Sequence, residues 1–363
     1  MAYIHQRPEW PKFTWKQEAV ALPLSNVRMR QGQLIGRMNA LGLTEQDESM
    51  LKALTADVVK SSEIEGEKLD DDQVRSSVAR RLGLDVAGLV PSDRRTDGVV
   101  EMLLEATRNH EQPLTKERLL KWHTSLFAAS HEPWIGRWRD DAKGPMQVVS
   151  GGVGSERVHF EAPAAERLEA ELDAFFSWAN GTADIDPLLK AALAHLWLVT
   201  IHPFEDGNGR IARAVADWAL ARSEGSSRRF YSMSAQIQKE RKDYYDILEA
   251  AQKGGLDATD WVLWFLGCLE RAIGGAEEQL AFVLRKDRFW REHAGASLNE
   301  RQRAMLNRLL DGTFVGKLTS TKWAKLTDCS HDTAQRDIAA LTTAGILAKD
   351  PGGGRSTSFS LPA

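Results

Sequence analysis

His202-Pro203-Phe204-Glu205-Asp206-Gly207-Asn208-Gly209-Arg210-Ile211-Ala212-Arg213 gathers an imidazole, two adjacent carboxylates, a Gly-Asn-Gly turn and two guanidinium groups in one short stretch. These residue types at this spacing suit a nucleoside triphosphate. A turn lets backbone N–H groups face phosphate oxygens, and the helix that follows adds the positive end of its dipole. Arg210 and Arg213 are three apart, so they project from one side of that helix. Asp206 offers the hard oxygen that Mg²⁺ prefers to share with phosphates. His202, just before the turn, is placed to take a proton from an incoming hydroxyl. Pro203 is expected to hold the His202 backbone extended. Phe204 reads as a core anchor rather than a ligand contact.

The surrounding pattern is mainly α. Asp186–Thr200 is almost entirely apolar and predicts a buried central helix leading into the motif, and Ile211–Arg222 continues from it. Upstream, the periodicity predicts helices over Leu24–Leu41, Ser49–Glu65, Asp71–Leu82, Asp97–Asn109 and, with Thr115 as N-cap, Thr115–Ala129. Met146–Ser150 and Val158–Phe160 flank Gly151-Gly152-Val153-Gly154, a hairpin signal. Pro163–Asn180, Met233–Gln252 and Thr259–Glu270 complete a helical core, and Gly274–Gly295 reads as a charged helical connector. Three short helical patterns then precede a hairpin through Pro351-Gly352-Gly353-Gly354, the order of a winged helix-turn-helix. The expected divisions are 1–108, with a helix near 49–66; a core over 109–275; a helical linker over 276–298; and a winged helix over 299–363.

The twelve-residue string resembles the signature of Fic-domain proteins: His, Phe, an acidic residue, Gly-Asn-Gly-Arg and a second Arg three residues on. The resemblance implies transfer of AMP from ATP, with Mg²⁺, to a hydroxyl of a target protein or of the chain itself. It assigns His202 as the base, Asp206 as the metal ligand, and Gly207, Asn208 and Gly209 as phosphate contacts. Asn208 is expected to supply an amide donor, Arg210 to bind the β-phosphate and Arg213 the γ-phosphate. Ser61-Ser62-Glu63-Ile64-Glu65-Gly66 resembles the family's inhibitory motif. Ser61 and Glu65 share one helical face, and Glu65 is implied to pair with Arg213 and obstruct the γ-phosphate. In some members that glutamate also supports removal of AMP. The Met146–Phe160 hairpin resembles the flap that aligns a target segment. Tyr244-Tyr245 resembles the segment enclosing adenine, with Tyr245 expected to face the nucleotide. Some relatives carry Asn seven residues after this pair, where this chain has Gln252.

The whole chain argues in the same direction. Its 363 residues are 42% hydrophobic and 27% charged, which describes a globular protein of two or three domains. A net charge of −4 gives no argument for polyanion or membrane binding by the whole molecule. Cys268 and Cys329 are the two cysteines, in different regions, which fits a reducing compartment without disulfides or a zinc site. No apolar run reaches transmembrane length, so the expected location is cytoplasmic. Residues 299–363 hold nine Lys/Arg and six Asp/Glu, a balance of +3. Asp332 and Asp337 lie on the helix that would read DNA, which leaves DNA, a protein partner and a homodimer all open for this segment. A nucleotide-sensing DNA-binding regulator is the alternative to an enzyme. A sensor has no use for the base at His202.

Overall fold

The computed structural model describes residues 2–151, 157–182, 185–310, 314, 316–351 and 357–362. The chain forms two compact units, 1–276 and 277–363. The segment 1–108 packs into the same unit as the core over 109–275.

The first unit opens with an extended arm. Its Trp10 indole donates to Glu171 at 2.7 Å and meets Trp197 edge-on, and Thr14 makes a parallel bridge to Asp257. Helix α1 spans Gln17–Asn39 and continues through Pro23, anchored by fully buried Val20. Sequence periodicity starts it after that proline. Pro23 is the seventh residue of α1, beyond the first turn, so the helix gives up the bond its N–H would have made to the Ala19 carbonyl and continues regardless.

Helix α2 spans Leu43–Ile64 and α3 spans Asp71–Leu82. The expected start of α2 near Ser49 gives way to Leu43, where Gln46 reaches back to the Leu41 carbonyl at 2.9 Å. Next come α4 (Arg94–Arg108), capped by Asp93, and α5 (Lys116–Leu126), capped by Thr115. The hairpin pairs β1 (Gln147–Ser150) with β2 (Arg157–Glu161) antiparallel, Val148 opposite Phe160. The expected turn residues Gly152, Val153 and Gly154 lie outside the described residues, as do Gly352, Gly353 and Gly354 of the second hairpin.

Helix α6 (Leu168–Asn180) precedes α7 (Pro187–Ile201), the buried centre of the unit. Pro187 opens α7 and Asp186 caps it, accepting from Leu188 N–H at 2.8 Å. Nearly every residue of α7 is buried, which only a helix surrounded by others tolerates. Helix α8 (Asn208–Glu224) packs against it, buried from Asn208 through Ala221 except at Gly209. The small buried residues Ala212, Ala214, Ala216 and Ala219 leave room for neighbours on several sides of α8. Each large aliphatic side chain buried here stabilises by about 1.5–3 kcal/mol. Helices α9 (Met233–Lys239), α10 (Arg241–Lys253) and α11 (Thr259–Glu292) follow. The expected connector from Gly274 is a continuation of α11.

The second unit holds α12 (Glu300–Leu310), α13 (Ser320–Leu326) and α14 (His331–Thr343), then β3 (Ala348–Lys349) paired with β4 (Phe359–Ser360). Its core gathers Met305, Leu306, Trp323, Ile338 and Leu341. Ala334, Ile338 and Leu341 face inward, and His331, Asp332, Gln335 and Arg336 are exposed. Asp337 does not share that outer face. It is buried and bonded to Asn299 and Arg301, because α12 packs against its side of α14. Among the described residues, no helix is long and apolar enough to cross a membrane.

Candidate active site

The α7–α8 connection carries the motif. His202 caps α7 with φ 52 and ψ 58, a left-handed conformation rather than the extended one that Pro203 suggested. The reason is a sharp reversal at the helix end: the His202 N–H still bonds the Leu198 carbonyl at 3.0 Å. The His202 carbonyl accepts from Arg139 Nε at 2.7 Å. Positive φ in a non-glycine residue costs of order 1–3 kcal/mol and persists only where its surroundings over-determine it. Here Arg139 supplies much of that determination. Its own backbone N–H also bonds the Pro203 carbonyl at 3.0 Å.

The ring of His202 is oriented by a contact at 3.1 Å between Nδ1 and the Val199 carbonyl. A carbonyl can only accept, so Nδ1 carries the proton and Nε2 keeps a free lone pair. Burial pushes the imidazole pKa down to about 4, with Arg139 adding to the effect and Glu65 and Asp206 opposing it. The neutral base therefore prevails above about pH 4 and disappears as pH falls through that value. We expect an NMR titration of His202 in ligand-free protein to show a midpoint near that value; a midpoint at the ordinary value of about 6.5 would mean the ring is solvated.

The loop is tied to itself and to α5. Asn208 accepts from Phe204 N–H at 2.9 Å and donates to the Phe204 carbonyl at 2.7 Å. Its side-chain amide is thus committed to closing the loop and is not the phosphate donor that was expected. What Asn208 and Gly209 present to the cleft is the start of α8. Phe204 is fully buried and stacks on His123 at 4.1 Å. His123 accepts at Nδ1 from Gly136 N–H at 2.9 Å, so its Nε2–H donates to the Asp206 carbonyl at 3.2 Å. Burial lowers its pKa to about 4, which keeps that tautomer neutral.

Gly207 has φ 81, and a Cβ there would lie 2.7 Å from Leu126 Cδ2. Gly207→Ala should cost about 1–3 kcal/mol through strain and collision. A thermal melt indistinguishable from wild type would show that the loop adapts.

Asp206 is exposed to the cleft. Its Oδ1 accepts from Gly207 N–H at 2.6 Å and its Oδ2 lies 3.7 Å from Arg210 Nη2. Among the described residues no cluster of three or more metal-ligating groups occurs. One projecting carboxylate suits Mg²⁺ completed by phosphate oxygens and water, and does not make an all-protein cage.

The two arginines lie beneath carboxylates. Arg213 bonds Glu65 Oε1 at 2.8 Å, Ser61 Oγ at 3.0 Å and the Ser61 carbonyl at 2.8 Å. Glu65 Oε1 also stands at the start of α8, where a Cβ on Gly209 would collide with it. The carboxylate thus occupies the anion position of a helix N-terminus. Burial opposes ionisation of Glu65, but Arg213, Arg210 and His202 together hold its pKa below the ordinary range. Arg210 bonds Glu67 Oε2 at 2.8 Å and lies over the Phe127 ring.

A cleft of about 660 Å³ opens above these groups, lined by Glu65, His202, Asp206, Gly209, the β1 strand and α10. Tyr245 lines it, half-buried, with its hydroxyl 3.4 Å from the Ile64 carbonyl. Tyr244 touches the same cleft but is buried, its hydroxyl 3.0 Å from His195 Nε2, so it belongs to the core more than to a ligand surface. Gln252 lines the cleft beside Thr200. The hairpin is fixed by α10: Glu249 holds His159 at 2.6 Å and Arg157 at 2.9 Å, and His159 reaches Ser150 at 2.5 Å.

Residues 113–220 match the Fic/DOC family. The chain carries a Fic domain. Residues 3–84 match a domain of unknown function (DUF4172), which ends beyond the Fic cleft's Ser61, Glu65 and Glu67. Protein adenylyltransferase Fic of Nematostella vectensis is 26% identical over 220 residues, 60% of this chain and 47% of its own length. The Aedes aegypti protein of the same name is 27% identical over 214 residues, 58% and 39%. The chain therefore matches less than half the length of either relative. A Fic family protein from Desulfovibrio desulfuricans G20 has the same fold, with a TM-score of 0.55 over 97% of this chain and 98% of its own at 22% identity. A Fic domain containing signaling protein from Bacteroides thetaiotaomicron VPI-5482 aligns with a TM-score of 0.52 over 69% of this chain and 96% of its own, also at 22% identity.

Three residues of this Fic site carry no signal in the motif. Arg139 and His123 act on backbone carbonyls from distant segments, and no spacing in the sequence marks them. Glu67 lies two residues past Glu65, so the adjacency was readable, but its partner Arg210 was not.

Proposed function

We propose that this protein is an adenylyltransferase that moves AMP from ATP to a hydroxyl side chain of a protein, and that Glu65 restrains it. One observation carries the reading. His202, its Nδ1 held by Val199 and its Nε2 unprotonated, lines the cleft together with the start of α8, and Arg210 and Arg213 lie behind it, covered by Glu67 and Glu65. In the step, the acceptor oxygen attacks the α-phosphorus and its proton passes to His202 Nε2. The bond to the bridging oxygen breaks, and pyrophosphate leaves. Val199 keeps the base in the reactive tautomer throughout.

Backbone N–H groups at the start of α8 receive phosphate oxygens, and Arg213 is free for the γ-phosphate once Glu65 has moved aside. Arg210 and Arg213 bind the β- and γ-phosphates, and such pre-oriented donors are the strongest contributors to transition-state stabilisation. Asp206 would hold Mg²⁺, whose chemistry is to neutralise charge on the departing pyrophosphate. Tyr245 flanks the base, and the β1 edge offers main-chain groups to an extended target segment. A nucleotide sensor would need the arginines but not an oriented free base.

The test uses the Glu65→Gly protein, freed of the proposed restraint, and ATP labelled at either end. Label in the α-phosphate should appear on protein and label in the γ-phosphate should not. The reverse pattern would make the chain a kinase, and label in neither position would remove the enzymatic reading.

A further inference from the structure

We propose that Glu67 is a second carboxylate brake, seated on the β-phosphate arginine, and that it controls whether the cleft admits nucleoside diphosphates. The proposal rests on the reading of Arg210 and Arg213 as β- and γ-phosphate ligands. Its starting point is backbone geometry at the end of α2. Gly66 has φ 83, its N–H bonds the Glu63 carbonyl at 3.0 Å, and the Glu67 N–H bonds the Ser62 carbonyl at 3.0 Å. That paired pattern is the left-handed helix stop that glycine favours. It turns the chain so that the residues before and after Gly66 both reach α8. Glu65 meets Arg213 at 2.8 Å, and Glu67 meets Arg210 at 2.8 Å.

Arg210 is built to bind an anion. Its side chain is 2% exposed, its guanidinium rests 5.1 Å from the Phe127 ring centre, and Asp206 Oδ2 lies 3.7 Å away. Glu67 satisfies it only in part. The Arg210 Nε is buried without a hydrogen-bond partner among the described residues, and the same Glu67 oxygen is shared with Arg95 at 2.7 Å. A phosphate with several free oxygens can satisfy such a fork better than one shared carboxylate oxygen. Glu67 is also 30% exposed, so it can turn out toward water when displaced.

The two brakes therefore act on different phosphates. Glu65 competes with the outermost phosphate of ATP, which ADP lacks. Glu67 competes with the middle phosphate, which both nucleotides carry. Removing Glu65 should favour ATP alone, whereas removing Glu67 should favour ATP and ADP alike.

Calorimetric titration of the full chain with Mg·ATP and Mg·ADP tests this, using wild type, Glu65→Gly, Glu67→Gln and Glu67→Ala. Glu67→Gln keeps the volume and removes the charge, so it decides the matter if the alanine variant unfolds. We expect ADP affinity to rise about tenfold in both Glu67 variants and to stay within about twofold of wild type in Glu65→Gly, the scale of an ordinary coupling between sites. A folded Glu67→Gln with unchanged ADP affinity overturns the proposal while leaving the triphosphate reading intact, provided Glu65→Gly gains ATP. If no variant gains affinity for either nucleotide, the assignment of the arginines to phosphates falls, and the Glu67 brake falls with it.

Discussion

His202→Ala should lower AMP transfer by about 10²–10⁴-fold, the usual contribution of a positioned general base, while nucleotide affinity changes little. The asymmetry follows from where the ring is held. Its Nδ1 is engaged by Val199 and its Nε2 is unprotonated, so neither nitrogen grips the arginine-bound phosphates. The proposed anion-binding groups, Arg210, Arg213 and the start of α8, are all supported by contacts that His202 does not make. Transfer measured with α-labelled ATP, beside a titration of ATP binding, separates the two effects. Undiminished transfer would remove His202 as the base. Loss of binding in parallel with transfer would show instead that the alanine had collapsed the left-handed turn.

Glu65→Gly should act in the opposite direction and should also leave a thermodynamic trace. Freeing Arg213 for a phosphate is expected to raise transfer by about 5–150-fold, the span of typical coupling energies. In the absence of nucleotide, the same change strips a buried guanidinium of its carboxylate. Loss of one partner of a buried pair costs up to about 3–5 kcal/mol. Ser61 keeps two bonds to Arg213, so the cost here should fall below that range. Added Mg·ATP should then restore the lost thermal stability, because ligand that binds only the folded state stabilises it by mass action. A variant with wild-type transfer and a wild-type melt would show that Glu65 restrains nothing.

How much of this was legible beforehand depends on whether the cause lay within a few residues. The turn between α7 and α8 was readable because its glycines, arginines and apolar flanks are contiguous. Asp71–Leu82 was readable because Asp70 and Gly83 punctuate it. The pairing of Glu65 with Arg213 spans 148 residues, and it came from resemblance, since periodicity says nothing about such distances. The Asn208 amide was misassigned to phosphate because its demand to close the loop onto Phe204 is a tertiary fact. The His202 backbone was misjudged for a related reason. Proline restricts the residue before it, but the helix end and the Arg139 guanidinium decide which remaining conformation is taken. Asp337 looked like an exposed charge on a reading helix until Arg301 and Asn299 were seen against it.

The buried anchor of α2 has a consequence for how the proposed restraint would be released. Asp57, two turns before Glu65, accepts hydrogen bonds from the Ser232 hydroxyl and, at 3.0 Å, from the Ser234 N–H, and eleven residues of α2 are buried. Such a helix cannot swing away without melting much of its surroundings. On the proposed reading, release would belong to the three residues Glu65, Gly66 and Glu67 at the end of α2 rather than to a departing domain. It should be fast, reversible and graded, so that the ratio of triphosphate to competing ligands in the surrounding fluid sets the fraction of working molecules from moment to moment.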